Sequence, residues 1–173
     1  MKRKIFMLLL VLTYTIAASS QQAVYNYYPR IVMGSTVEQV KQKMKGLSGY
    51  RFEKETKTDY FHLLTYVKNN GKQVLFNFNS EGKLFWMNGI DVSSTEFKNT
   101  INQLRQELKA TDKDAEGVLV ESRYTGTIYH LFDLSNTNVA KFCLNQNLIS
   151  GGYTYSIEVI DKELKEGIIK DAK

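Results

Sequence analysis

The chain has 173 residues, 43% hydrophobic and 24% charged, with a single proline and a single cysteine. That balance excludes a disordered or collagen-like polymer, and the lone Cys143 excludes a scaffold stapled by internal disulfides. Of the 23 Lys and Arg residues behind the formal charge of +5, three sit at positions 2 to 4; the other 20 face 18 acids. With Lys and Glu interleaved along the chain, that near-balance argues against nucleic acid as a partner.

Lys2-Arg3-Lys4 precede an apolar run from Ile5 to Leu12 and the small residues Ala17-Ala18-Ser19-Ser20. A basic start, a short apolar core and small side chains that suit a peptidase pocket read as a secretory signal peptide over residues 1–20. The expectation is therefore an exported protein, periplasmic or secreted. Thr13, Tyr14 and Thr15 interrupt the apolar run, which falls short of the ~20 residues that a bilayer span needs. Membrane contact is expected only through the cleaved leader, and no cysteine lies at the cleavage site to accept a lipid. The remainder suffices for one domain with a core, or for two small repeats sharing one, and nothing marks an interdomain linker.

Residues 21–34 form a polar and aromatic lead-in. Ser35-Thr36 can accept hydrogen bonds from the free amides of a helix start, and Glu38 places negative charge in its first turn. Val37, Val40, Met44 and Leu47 then mark one face of a short helix that ends at Gly46 or Gly49. From Tyr50 the period changes to two, which predicts strands over 50–56, 60–67, 73–79 and 83–90. Asn69-Asn70-Gly71 and Ser80-Glu81-Gly82 supply the turns, because Asn and Gly accept positive φ at little cost.

A second unit repeats that order. Ser93, Ser94 or Thr95 can cap a helix whose face is Phe97, Ile101, Leu104 and Leu108. After a polar loop, alternation predicts strands over 118–124, 127–134, 139–145 and 153–160, broken at Gly126, Asn136-Thr137-Asn138 and Gly151-Gly152. Residues 162–173 are a tail. The fold class expected is α+β: an antiparallel sheet with two helices on one face, built from units at 35–92 and 93–161. A tandem helix-plus-four-strand repeat and a single irregular sheet with two helices both fit this pattern.

The stretch Ile31-Val32-Met33-Gly34-Ser35-Thr36-Val37-Glu38-Gln39-Val40, with strands and Phe78-Asn79-Ser80-Glu81-Gly82-Lys83-Leu84 after it, resembles two related groups of small extracytoplasmic proteins. One is the outer-membrane assembly lipoproteins of the SmpA/OmlA type; the other contains β-lactamase-inhibitor-like proteins made of tandem helix-plus-sheet repeats. The shared signature is a Gly-x-Thr cap, a helix with Val four residues after Thr, and a meander with an Asn/Asp-x-x-Gly-Lys-type turn. The leader departs from the lipoprotein group in lacking the cysteine that would be lipidated. The resemblance implies a non-catalytic protein-binding module with a concave sheet surface as its contact face, and no binding residue is carried over.

Two constellations bear on chemistry. A β-hairpin centred on Asn136-Thr137 sets His130 opposite Cys143, where an imidazolium could lower the thiol pKa and make a nucleophile for a hydrolase or transferase. No third group orients that histidine, since Asp133 points to the other face of a regular strand. The aromatics form the second: Tyr and Trp offer wide contact area with few rotamers to lose. Trp86, Tyr124, Tyr129, Tyr153 and Tyr155 are the expected contact residues. His62 and His130 lack metal-ligand spacing, Gly151-Gly152 lacks the Lys-Ser/Thr of a phosphate loop, and Glu53 and Glu55, with Arg51 on the same face, suit a solvated edge.

The expectation is thus a non-catalytic protein, needing no metal or cofactor, that binds a protein or a cell-envelope component through a sheet face. A Cys143–His130 enzyme and a carrier of a small apolar ligand are the alternatives. The oligomeric state is unknown from these residues.

Overall fold

The computed structural model describes Tyr28 and residues 31–59, 61–111, 118–122, 127–146 and 152–164, with their side chains except at 109–111, 118–122, 127 and 129. The leader at 1–20 lies outside the described residues, as do Tyr124 and the tail beyond 164. Among the described residues, no helix is long and apolar enough to cross a membrane.

The first helix, α1, spans Val37–Lys45 and starts where its cap chemistry dictates. Thr36 accepts from the Gln39 amide, and the Gln39 side chain accepts from the Thr36 amide, a reciprocal capping box. Four strands follow, β1 Tyr50–Lys57, β2 His62–Lys68, β3 Gln73–Phe78 and β4 Leu84–Gly89, as an antiparallel meander. The β2–β3 and β3–β4 turns place Gly71 and Gly82 at φ 82° and 71°, a region that glycine enters without Cβ strain. Helix α2 spans Ser94–Thr111. Its cap is Ser93, whose Oγ accepts from the Glu96 amide. The second meander comprises β5 Val118–Ser122, β6 Thr127–Asp133, β7 Asn138–Gln146 and β8 Tyr153–Asp161.

The two meanders join through their last strands. One eight-stranded sheet results, in the order β1-β2-β3-β4-β8-β7-β6-β5, with β4 antiparallel to β8 at its centre. The fold is therefore α+β with an antiparallel sheet, and each half repeats the order of one helix and four strands.

Both helices bury their apolar stripes on the same side. Val40 and Met44 of α1 and Phe97, Ile101, Leu104 and Leu108 of α2 belong to one core with Leu64, Val74, Phe76, Phe78, Met87, Phe132, Ala140, Phe142, Ile157 and Val159. These strand residues share one face because alternation puts every second side chain there and the registers align them across all the central strands. Aromatic edges tighten the second half: Phe97 of α2 lies 5.7 Å from Phe142, which lies 5.6 Å from Phe132. Tyr28 is fully buried in the same core and donates its hydroxyl to the Ile157 carbonyl, pinning the lead-in to β8.

Candidate functional site

The face of the sheet turned away from the helices follows from the same registers. Its central row runs Leu75, Asn88, Glu158, Lys141 across β3, β4, β8 and β7. The adjacent row runs Leu63, Asn77, Trp86, Ile160, Val139. No helix among the described residues packs on this side. Leu63, Leu75, Trp86, Ile160 and Val139 are all partly exposed, so an apolar band runs along one side of the polar row.

Glu158 organises that row. Trp86 donates its indole N–H to one carboxylate oxygen at 3.1 Å, and the Cys143 thiol donates to the other at 3.4 Å. Lys141 Nζ stands 3.9 Å away, beyond hydrogen-bond length. With only 12% of its side chain exposed, the carboxylate depends on these groups to offset lost hydration. Directly across the β4–β8 ladder, Asn88 is 9% exposed and its buried Oδ1 has no hydrogen-bond partner. Asn77 Oδ1, in the next row, is likewise buried and unpartnered. A buried acceptor without a donor costs ~1–3 kcal/mol, so these two polar positions are a local expense to the sheet.

This arrangement corrects the thiol–imidazole reading. Cys143 pairs with Tyr129, and His130 pairs with Phe142, so the thiol and the imidazole occupy opposite faces. The cause is the β6–β7 loop, which spans three residues because Leu134 N–H donates to the Asn138 carbonyl. Ser135 Oγ accepts from the amides of Thr137 and Asn138 and so sets that length. One residue of register turns every side chain over. Burial, reinforced by the charge of Glu158, pushes the Cys143 thiol up to about 11. Burial also lowers the His130 pKa, with Arg105 adding to the effect. A protonated thiol and a neutral imidazole on different faces form no nucleophilic pair.

The expected aromatic contacts separate. Trp86 lies on the open face. Tyr155 lies on the helix side, packed against the core with its ring 5.0 Å from Phe97, so it is a packing residue rather than an exposed contact. Tyr153, 52% exposed, sits at the start of β8 opposite Gln146, two residues from Tyr155 and thus on that same side. Tyr129 is the cross-strand partner of Cys143, with its side chain outside the described residues, as is all of Tyr124.

A second polar cluster sits under α1. Glu55 on β1 accepts from Lys41 Nζ at 2.9 Å and contacts His62 Nε2 at 2.6 Å. Hydrogen bonding to Lys41 and then His62 holds the Glu55 carboxyl below its ordinary pKa. The shared face expected for Glu53, Glu55 and Arg51 does not form, because a bulge between Phe52 and Lys54 shifts the register. Glu55 turns toward the helix, whereas Glu53 accepts from Gln73. Among the described residues no group of three His, Cys, Asp or Glu side chains is placed to hold a metal ion.

The site residues that sequence reasoning does not single out are Glu158, Asn88, Asn77 and Lys141. Their only local signal is that each is a polar residue at the alternate position of a strand. What brings them together is the β4–β8 pairing, between segments far apart in the chain. Comparison with known protein families, curated proteins and solved structures returns no match to this chain.

Proposed function

We propose that this chain is an exported, non-catalytic binding protein that recognises a protein or cell-envelope component through the sheet face opposite its helices. The observation that carries this reading is the asymmetry of the sheet. α1 and α2 cover the centre of one face, while the other presents Trp86 among partly exposed Leu63, Leu75, Ile160 and Val139 beside a polar row. An exposed apolar band beside a polar row on an open face, with an aromatic anchor in it, suits a recognition surface. The composition of residues 1–20 supports export, and the resemblance to extracytoplasmic binding modules supports a partner in that compartment.

The test is site-specific photo-crosslinking in intact cells. A benzoylphenylalanine placed at Leu75, on the open face, is expected to yield a discrete adduct. The same group at Asn102, exposed on α2, is expected to yield none. Equal labelling from both positions, or none from Leu75, overturns the assignment of this face.

A further inference from the structure

Asn-Gly is among the least chemically stable steps of a chain, because glycine has no side chain to keep its amide nitrogen away from the preceding carboxamide. Two such steps occur here, Asn70-Gly71 and Asn88-Gly89, and the fold treats them in opposite ways. Asn88 pairs with Leu75 on one side and Glu158 on the other, and Gly89 pairs with Val74 and Ile157, so that step is clamped at the middle of the sheet. Joining a side-chain carbon to the next backbone nitrogen needs rotation about the asparagine Cα–C bond, which at Asn88 would break both ladders. Asn70 and Gly71 lie in the β2–β3 turn and are both exposed. The space over Gly71 is open, since a Cβ built there would meet nothing within 4 Å. The Gly71 N–H donates to the Lys68 carbonyl at 2.9 Å, a bond within the turn and outside the β2–β3 ladder. The Lys72 amide donates to Asn70 Oδ1 at 3.2 Å, which draws electrons from the carboxamide carbon.

We propose that Asn70 is a self-modification site, converted to aspartate and isoaspartate in the folded protein while Asn88 is preserved. The Gly71 nitrogen gives its proton to solvent base and forms a bond to Asn70 Cγ. The Cγ–Nδ2 bond breaks, and Nδ2 takes up one proton to leave as ammonia. Water then opens the cyclic imide. Cleavage of the new Cγ–N bond gives aspartate, and cleavage of the original backbone C–N bond gives isoaspartate, with the chain rerouted through Cγ. The net reaction consumes one water and releases one ammonia, with no oxidation or reduction. The carboxylate so formed enters a turn whose Lys68 and Lys72 reach Glu96 of α2 at 3.9 and 3.4 Å, so the charge change falls at the contact between the first meander and that helix.

The test compares the two steps within one sample. Folded protein is incubated in mildly alkaline buffer beside the same protein in urea, and peptides from each are followed by mass spectrometry. Electron-transfer fragmentation separates aspartate from isoaspartate and Asn69 from Asn70. In the folded protein a gain of about 1 Da is expected at residue 70, at a rate at least about tenfold above that at residue 88, because an exposed turn opens far more readily than a central strand. In urea neither step is held, and the two rates should fall within about threefold of each other. Asn70→Gln, whose longer side chain closes the corresponding ring slowly, should remove the isoaspartate from the folded protein. Equal conversion of Asn70 and Asn88 in the folded protein, conversion at Asn69 instead, or an Asn70 that reacts only in urea or not at all would each overturn the assignment.

Discussion

The indole N–H of Trp86 on β4 meets the Glu158 carboxylate on β8 at 3.1 Å, across a separation of 72 positions in the chain. That bond joins the two meanders on the side away from the helices. Trp86→Phe removes the donor, and a hydrogen bond to a charged acceptor contributes ~1.5–3 kcal/mol. Half-exposure of the indole places the expected loss near the low end. In a double-mutant cycle with Glu158→Gln, followed by urea unfolding, a coupling of ~1 kcal/mol is expected. Additive losses would show that the two side chains do not support each other.

Cys143 should be slow to react. With its thiol near pH 11, about one molecule in ten thousand carries the thiolate at neutral pH. Iodoacetamide should label the folded protein far more slowly than the urea-unfolded chain. Because the folded pKa is raised, folding favours the protonated thiol. Its contribution is fully present below the unfolded value and lost as pH rises through about 11. The stability gap between wild type and Cys143→Ala should therefore shrink above about pH 9. The comparison with the variant is needed because burial also raises the hydroxyls of Tyr50 and Tyr66.

Acid should act on the cluster under α1. The Glu55 carboxyl, held down by Lys41 and then His62, contributes stability above its unfolded pKa and loses it as pH falls through its lower folded value. Glu55→Gln should be less stable than wild type at pH 6, and the two urea midpoints should converge as pH drops below about 4. A gap that persists unchanged at pH 2.5 would mean that the charge contributes nothing.

Ser135 sets the β6–β7 loop by accepting two amides. Ser135→Ala should cost ~1 kcal/mol, seen as a lower urea midpoint. Amide exchange at Thr137 and Asn138 should rise at the same time.

Most of the architecture is legible locally. The alternation Val74, Phe76, Phe78 and the spacing Phe97, Ile101, Leu104, Leu108 each state which side chains go inward, and the elements fall within about two residues of the periodic pattern. The departures share a cause. At the Ser135 loop a side-chain acceptor lengthens the turn by one residue, and at Glu53 a bulge inserts one; each single-residue change reverses a face downstream. Tyr155 departs from expectation for a related reason, since a strand tyrosine fits a wet surface or a half-buried one equally well. The Asn88–Glu158 row has no local signature at all, because its existence depends on the pairing of β4 with β8.

That pairing also dictates the timing of assembly. β4 is made in the first half of the chain, but the strand that covers its free edge, β8, is the last of the described strands to be synthesised. Until β8 arrives, the leading meander exposes an uncapped ladder of amides and carbonyls along one side, a template for sticking to neighbouring chains. Closure of the sheet waits on a long-range encounter, which slows folding. A nascent or truncated chain that stops before Tyr153 is the form in which this protein would be most prone to aggregate and most in need of a chaperone.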